Sequence, residues 1–301
     1  MEYHVPVLLT ESINALQIKP GGVYVDLTFG AGGHSRAILA ELNSQGRLIC
    51  FDQDPSAKNN LIDDPRCLFI DQNFRYAKQM LQLHKIGPVD GILADLGVSS
   101  HQIDTEERGF STRATDVALN MRMDQKSGGL TAADVLNTYS EPQLTKLFFD
   151  YAELENARKI SQKILHTRAQ KPIKTIQDLK DSLQGLYLPH LSMRFFARVF
   201  QALRIEVNQE IQALETLLLQ LPELLKKNGR AAFISYHSLE DRLVKNMFKT
   251  SHLNGQLEKD FYGNPLLLLQ PVNKKIITAS AEEIAKNPRA RSAKLRIAEK
   301  L

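Results

Sequence analysis

Residues 23–35 place the strongest limit on the fold, because they join a short apolar run to a cluster of glycines (VYVDLTFGAGGHS). The β-branched run at 23–27 predicts a buried strand, and the pattern that follows the glycines predicts a helix. Gly30, Gly32 and Gly33 let the backbone approach a ligand closely at the amino end of that helix. The segment therefore predicts a strand, a tight turn and a helix that together bind a nucleotide-like cofactor.

The spacing of these glycines is G-x-G-G, which differs from the G-x-G-x-x-G that binds dinucleotides. Gly30 and Gly32 occupy the first two positions, and Ser35 stands where the third glycine would be. A plain structural turn stays open as an alternative, because glycine turns between a strand and a helix are common. An NAD-dependent oxidoreductase also stays open, although the missing third glycine counts against it.

Strand and helix patterns alternate along much of the chain. Strands are predicted at 23–27, 48–51, 67–70, 91–95 and 231–235, and helices at 35–42, 55–60 and 74–83. This alternation predicts an α/β fold with a Rossmann-like, mostly parallel sheet covered on both faces. Two later strands, at 274–278 and 294–298, are expected to form its antiparallel edge. Only helical patterns and polar loops occupy 104–204. We therefore predict one domain built from 1–103 and 205–301, interrupted by an inserted helical domain at 104–204.

Acidic side chains close two of the predicted strands, at the edge where parallel sheets bind ligands. Asp52 lies 20 residues after Gly32, a separation at which a carboxylate binds ribose hydroxyls. Asp54 is better placed than Asp52 to cap the helix that follows. Asp95 closes the fourth strand, where its carboxylate is expected to bind a cationic cofactor or to accept a proton. Phe74, after the third strand, is expected to pack on an adenine ring or to belong to the core.

Residues 235–242 (SYHSLEDR) follow the fifth strand. Ser238 with Asp241 predicts a variant of the capping box at the start of a helix. We interpret His237 as a structural residue rather than a general base. The absence of a G-x-S-x-G motif disfavours a hydrolase triad.

The charge of the chain is unevenly distributed. The net charge is +4, yet residues 158–204 carry ten Lys and Arg against two Asp, and a second basic cluster lies near the C-terminus. This asymmetry predicts a surface that faces a polyanion, although a solvated lysine-rich helical face is the alternative interpretation. Four arginines are expected to contact phosphates: Arg198, Arg204, Arg289 and Arg291.

Several classes of protein are disfavoured by what the sequence lacks. No window approaches the roughly 18 apolar residues of a membrane span, and the N-terminus has no signal-peptide pattern. Cys50 and Cys67 both lie in strand patterns, so we interpret them as small buried residues rather than as a disulfide or metal ligands. We expect a cytoplasmic protein without a metal site.

Eight motifs then follow one another in a recognisable order: HVPVLL (4–9), the segment from Asp26 to Ser35, GILADLGVSS (91–100), ERGFS (107–111), NMRMD (120–124), FQALRIEVN (200–208), SYHSLEDR (235–242) and NPRARS (287–292). Together they resemble the MraW family, the bacterial methyltransferases H of small-subunit ribosomal RNA, over nearly the whole chain. The resemblance implies a class I methyltransferase fold with S-adenosylmethionine (AdoMet) as cofactor. It implies methylation of N4 of a cytosine in the decoding region of 16S rRNA, within the small ribosomal subunit.

The resemblance also implies a set of contacts with AdoMet: Gly32, Gly33, His34, Asp52, Phe74, Asp95 and Gln102. Gly30 completes the predicted cofactor turn, and Asp95 is our candidate for the catalytic acceptor near N4. The insert at 104–204 is expected to help recognise RNA. A homodimer stays open. So does a non-catalytic RNA-binding or assembly factor, which would explain the charge but not the cofactor turn.

Three positions depart from the pattern of the family, and all lie in the insert. Asn120 stands where an aspartate usually precedes Met-Arg-Met. Residues 152–155 (AELE) replace a more usual Gly-Glu-Glu, and residues 195–197 (FFA) stand where Pro-Ala-Thr is typical. These departures concern the docking of RNA more than the binding of the methyl donor.

Overall fold

The computed structural model describes residues 6–126, 128–273 and 275–301. The chain divides into two compact units, one formed by Met1–Gly97 with Ile211–Leu301 and the other by Val98–Glu210. The second unit begins before the predicted insert at 104–204 and ends after it. A single helix, Ser192–Asn208, runs without a break through position 204.

The first unit contains a sheet of eight strands within the described residues: β1 (Val23–Asp26), β2 (Arg47–Phe51), β3 (Cys67–Ile70), β4 (Val89–Asp95), β5 (Leu225–Ser235), β6 (Leu269–Pro271), β7 (Ile277–Thr278) and β8 (Lys294–Lys300). Their order is β3-β2-β1-β4-β5-β8-β6, and β7 also pairs with β8. The first five strands are parallel, whereas β8 runs antiparallel to its neighbours. This confirms the predicted Rossmann-like sheet with an antiparallel edge. The chain order reverses between β1 and β4, which is where such sheets bind ligands.

The described residues form these helices: α1 (Leu9–Leu16), α2 (Gly33–Glu41), α3 (Ala77–Leu83), α4 (Ser100–Asp104), α5 (Ala132–Thr138), α6 (Glu141–Ala152), α7 (Ala157–Gln170), α8 (Ile176–Ser182), α9 (Ser192–Asn208), α10 (Glu210–Leu224), α11 (Ser238–Thr250) and α12 (Ala281–Lys286). None of them combines the length and the apolar character that a membrane span requires.

Alternate residues of each central strand enter two separate cores, one on each face of the sheet. Val25 and Ile49 belong to the core that contains the leucines of α10. Tyr24 and Leu48 belong to the opposite core, which α1 and α2 cover. Because both faces are buried, the strand sequences are nearly continuous apolar runs, and this is why their positions were predictable.

The start of β5 differs from the prediction. The strand begins at Leu225 rather than at 231, and its pairing with β4 shifts register between Val89 and Gly91. Residues 226–229 lie within this irregularity, where Asn228 has a φ angle of +61° in the left-handed region. The strand therefore begins before the irregularity, and the predicted segment 231–235 follows it.

Other differences concern short elements. Pro55–Asn60 forms a 3₁₀ helix rather than an α-helix. Only Ile277–Thr278 forms the strand that was predicted to begin at Lys274, and Lys274 lies outside the described residues.

The second unit is helical, with a core of its own between α5 and α9. Capping boxes begin four of its described helices, α4, α5, α6 and α8. Thr131 and Asp134 exchange hydrogen bonds of 3.1 and 2.8 Å, and the Ser140 N–H donates to Gln143 at 2.8 Å. In the described part of this unit, the one β-type pairing is an isolated bridge between Ala118 and Thr175.

Cys50 and Cys67 lie on neighbouring strands of the first unit, and both are free thiols. Their sulfur atoms are 3.6 Å apart, and Cys50 is buried. They contribute to the core as small apolar side chains, as predicted.

Close packing between β1 and β4 predicts a difference in stability between alanine variants of two glycines. A Cβ atom at Gly91 would lie 2.8 Å from the ring of Tyr24, which is 1% exposed and whose hydroxyl accepts the Lys19 N–H at 2.7 Å. We expect Gly91→Ala to lower the free energy of unfolding by about 1–3 kcal/mol through overpacking, measured by urea denaturation. The control is Gly87→Ala, because a Cβ there meets no atom within 4 Å. Equal stabilities for the two variants would contradict this packing.

Candidate functional site

The glycine turn after β1 has a backbone conformation that side chains disfavour. Gly30 and Gly32 have φ angles of +52° and +76°, in the left-handed region that suits glycine. A Cβ atom at Gly33 would lie 2.2 Å from the Pro6 ring, so the backbone is closely packed there. Gly32 precedes the first residue of α2 and has no side chain to cover the first N–H groups of that helix. The Gly32 N–H donates to the Phe29 carbonyl at 2.7 Å, so the donors without a partner inside the helix begin at Gly33, at the N-terminus of α2.

Asp26, the last residue of β1, stabilises this turn through two hydrogen bonds. Its carboxylate accepts the Ser35 hydroxyl at 2.6 Å and the Thr28 N–H at 3.1 Å, and the residue is 1% exposed. Burial raises the pKa of the Asp26 carboxyl, while the hydrogen bond from Ser35 opposes that rise. The end of β1 is thereby tied to the first turn of α2.

Asp52 reaches the same turn from the end of β2. Its carboxylate accepts the Gly30 N–H at 2.7 Å and the Asp54 N–H at 2.8 Å. Burial raises the pKa of the Asp52 carboxyl to about 6, although both of these hydrogen bonds oppose the rise. Asp54 caps the 3₁₀ helix by accepting the Ser56 N–H at 2.9 Å, which is the role predicted for it. Asp52 itself is therefore not needed as a cap.

Asp95 is held at the end of β4 by three partners from different elements. Its N–H donates to the Thr28 hydroxyl at 2.7 Å, and its Oδ1 accepts the Tyr236 hydroxyl at 2.7 Å. Its Oδ2 lies 3.6 Å from Nε2 of His34. The Asp95 side chain remains 23% exposed, so the carboxylate is oriented by the protein and still reachable from solvent.

His34 connects Asp95 with the glycine turn, because it lies in the first turn of α2. Burial lowers the pKa of the imidazole, but the nearby carboxylates of Asp95 and Asp26 outweigh burial and raise the pKa above 6.5. The structure thus brings together predicted residues from three strand ends: Gly30, Gly32, Gly33, His34, Asp52 and Asp95.

The two other predicted cofactor residues are placed differently. Phe74 begins a 3₁₀ turn and packs, partly buried, against the core that contains the α10 leucines. Gln102 belongs to the second unit, where its side chain accepts the Ser99 N–H at 2.9 Å in a capping box that begins α4. A contact of either residue with a cofactor stays a prediction.

The four predicted RNA-binding arginines fall into two classes. Within the second unit, Arg198 donates to the backbone carbonyls of Ala152 and Glu153 at the end of α6. Arg204 forms a bidentate ion pair with Glu210 at 2.8 and 2.9 Å. In the first unit, Arg289 and Arg291 lie exposed in the 3₁₀ helix before β8. Contact with RNA stays a prediction for all four.

Sequence reasoning missed two residues that hold Asp95, namely Thr28 and Tyr236. Both lie just beyond strand ends, in segments that the motifs had marked, so the same argument that selected Asp95 applies to them. In the second segment the sequence had drawn attention to His237 instead. His237 is the N-cap of α11 and accepts the Glu240 N–H at 3.4 Å, so the helix begins at Ser238 without the predicted cap from Ser238.

Comparison with known proteins gives one consistent result. The sequence profile described as the MraW methylase family matches residues 1–301. "Ribosomal RNA small subunit methyltransferase H" of Bacteroides fragilis (strain YCH46) is 51% identical over 298 residues, covering 99% of this chain and 97% of the relative. The proteins of the same name from Bacteroides thetaiotaomicron and Christiangramia forsetii are 51% and 52% identical, with coverage of 100% of this chain and 98% and 99% of the relatives.

The raised pKa of Asp52 predicts a pH dependence of AdoMet binding. The ionised carboxylate accepts ribose hydroxyls better than the neutral acid, so affinity should increase as the pH rises through about 6. We expect AdoMet to bind about tenfold more weakly at about pH 5 than at about pH 7.5, measured by calorimetry. Asp52→Asn cannot ionise and should lose this component. An equal pH dependence in wild type and Asp52→Asn would assign the titration to another group.

Proposed function

The chain belongs to the MraW methylase family, and on that premise we propose that it methylates N4 of a cytidine in the decoding region of 16S rRNA, with AdoMet as methyl donor. The position of the Asp95 carboxylate next to the glycine turn is the observation that supports this proposal. A partly exposed carboxylate lies at the end of β4, and His34 links it to the glycine turn. A methyl donor bound in the glycine turn and a cytidine bound beside Asp95 would therefore lie next to each other.

The residues of the first unit fit the chemical groups of AdoMet. The N–H groups at the start of α2, from Gly33 onward, suit its polar atoms, and Asp52 offers acceptors for the ribose hydroxyls. Asp95 offers a negative charge to the cationic end of the donor. When bound, AdoMet supplies an electrophilic methyl group, which is attached to a positively charged sulfur.

Catalysis by this chain then depends mainly on alignment. The exocyclic amine of cytosine is a weak nucleophile, because its lone pair is delocalised into the ring. The Asp95 carboxylate can accept an N–H of that amine, which localises the lone pair and directs it toward the methyl group. The reaction needs no covalent enzyme intermediate, and both cysteines lie within the sheet rather than at its ligand-binding edge.

The proposed substrate is RNA in which the target base can leave its stack. A base held in a helix cannot reach an enclosed site, so a partly assembled small subunit suits this reaction better than a duplex. The excess of basic side chains at 158–204 supports a role of the second unit in binding RNA. A ribosomal substrate supports the proposal that the protein acts in the cytoplasm. A homodimer stays a prediction.

The first test is transfer of a labelled methyl group from AdoMet to small ribosomal subunits that lack the modification. We expect N4-methylated cytidine from 16S rRNA, identified by mass after digestion to nucleosides. Asp95→Ala should reduce the rate by at least about a thousandfold, because both the alignment and the charge are lost. Glu223→Gln is the control, since it removes an exposed carboxylate paired only with Lys78 in the described contacts. Transfer to another nucleoside would contradict the proposed acceptor, and full activity of Asp95→Ala would contradict its role.

The exposure of Arg289 and Arg291 predicts a salt-dependent contribution to RNA binding. Each phosphate contact that is removed should lower the slope of log affinity against log salt by about 0.7–1. We therefore expect Arg289→Ala and Arg291→Ala to weaken binding to 16S rRNA, most strongly at low salt. The control is Arg47→Ala, an exposed arginine at the opposite, amino end of β2. The same slope in all three variants would remove the C-terminal arginines from the RNA interface.

A further inference from the structure

Tyr236 lies directly after β5 and reaches the carboxylate at the end of β4. Its hydroxyl donates to Oδ1 of Asp95 at 2.7 Å. The register of the sheet pairs Asp95 with Ile234, two residues before Tyr236. Asp95 and Tyr236 therefore lie at the same edge of the sheet. A hydrogen bond to an ionised carboxylate is stronger than one between neutral groups, and it favours one orientation of that carboxylate.

Tyr236 is itself fixed in place. Its N–H donates at 3.0 Å to Glu240, which is 3% exposed, and its ring packs, partly buried, against the core that α1 and α2 cover. Burial raises the pKa of the Tyr236 phenol, and the charge of Asp95 raises it further. The hydroxyl therefore keeps its proton and acts as a donor rather than as a base.

The two oxygens of Asp95 consequently have different surroundings. Oδ1 accepts the Tyr236 hydroxyl, whereas Oδ2 lies 3.6 Å from Nε2 of His34. The Thr28 hydroxyl fixes the backbone of Asp95 at the same time. With the main chain and one oxygen held, rotation of the carboxylate is restricted and Oδ2 has a defined direction.

We infer that Tyr236 is a positioning residue for methyl transfer, whose hydroxyl holds the Asp95 carboxylate so that Oδ2 accepts an N–H of the reacting amine. The inference rests on the proposed function, since it gives Asp95 a partner in that reaction. Tyr236 does not touch the reacting atoms and acts only through Asp95. Its contribution should therefore appear in the chemical step, where small errors of alignment are costly, and not in ligand binding.

Tyr236→Phe tests this role, because it removes the hydroxyl and keeps the ring. We expect kcat for methyl transfer to small subunits to fall about 10- to 100-fold, while the Kd of AdoMet and the KM of the RNA change by less than about threefold. Initial rates with labelled AdoMet at saturating concentrations of both ligands give kcat. Calorimetry gives the Kd, and thermal unfolding gives the Tm.

Tyr24→Phe is the matched control. It also removes one hydroxyl hydrogen bond of 2.7 Å within the first unit, but that bond joins Tyr24 to Lys19 before β1, at the amino end of the strand. We expect this variant to lower the Tm and to leave kcat unchanged. The comparison separates the loss of a hydroxyl that supports the fold from the loss of one that orients Asp95.

Three results have distinct meanings. A wild-type kcat in Tyr236→Phe would overturn the inference. A lower Tm and weaker binding with an unchanged kcat would also overturn it, because that pattern marks a structural tyrosine. If wild-type protein itself transfers no methyl group to small subunits, the proposed function fails, and this result is visible before any variant is compared.

Discussion

The pairing of β1 with β4 is the constraint on which the site depends. Because these strands are parallel neighbours, their carboxyl ends lie side by side, and the glycine turn after one is adjacent to Asp95 at the end of the other. The hydrogen bond from the Asp95 N–H to the Thr28 hydroxyl extends this contact beyond the last paired residues. The sheet itself, rather than flexible loops, therefore positions the glycine turn and the Asp95 carboxylate.

The sequence predicted the sheet and half of this site because both depend on local patterns. Apolar runs marked the buried strands, and strand ends marked Asp52 and Asp95 without knowledge of their partners. His34 was found only through resemblance to a family. Tyr236 escaped notice because its role comes from a hydrogen bond across two strands that are far apart in sequence. No local pattern records which side chain a distant hydroxyl will reach.

The arginines show a second limit of sequence reasoning. Counting charges locates the basic residues along the chain, but it does not show which of them form hydrogen bonds within the fold. Arg198 and Arg204 form hydrogen bonds within the second unit, whereas Arg289 and Arg291 are exposed. A guanidinium group offers several donors and serves either purpose, so its role depends on which acceptors the fold brings near it.

The interruption of the sheet between β4 and β5 has a consequence for synthesis. Asp95 pairs with Ile234, and the whole second unit lies between them in the chain. During translation the first four strands emerge long before β5. The edge of β4 that pairs with β5 therefore stays unpaired while the second unit is synthesised. A nascent chain can thus complete the glycine turn early but receives Tyr236 only near the end of translation. The full set of contacts around Asp95 is consequently a late product of folding.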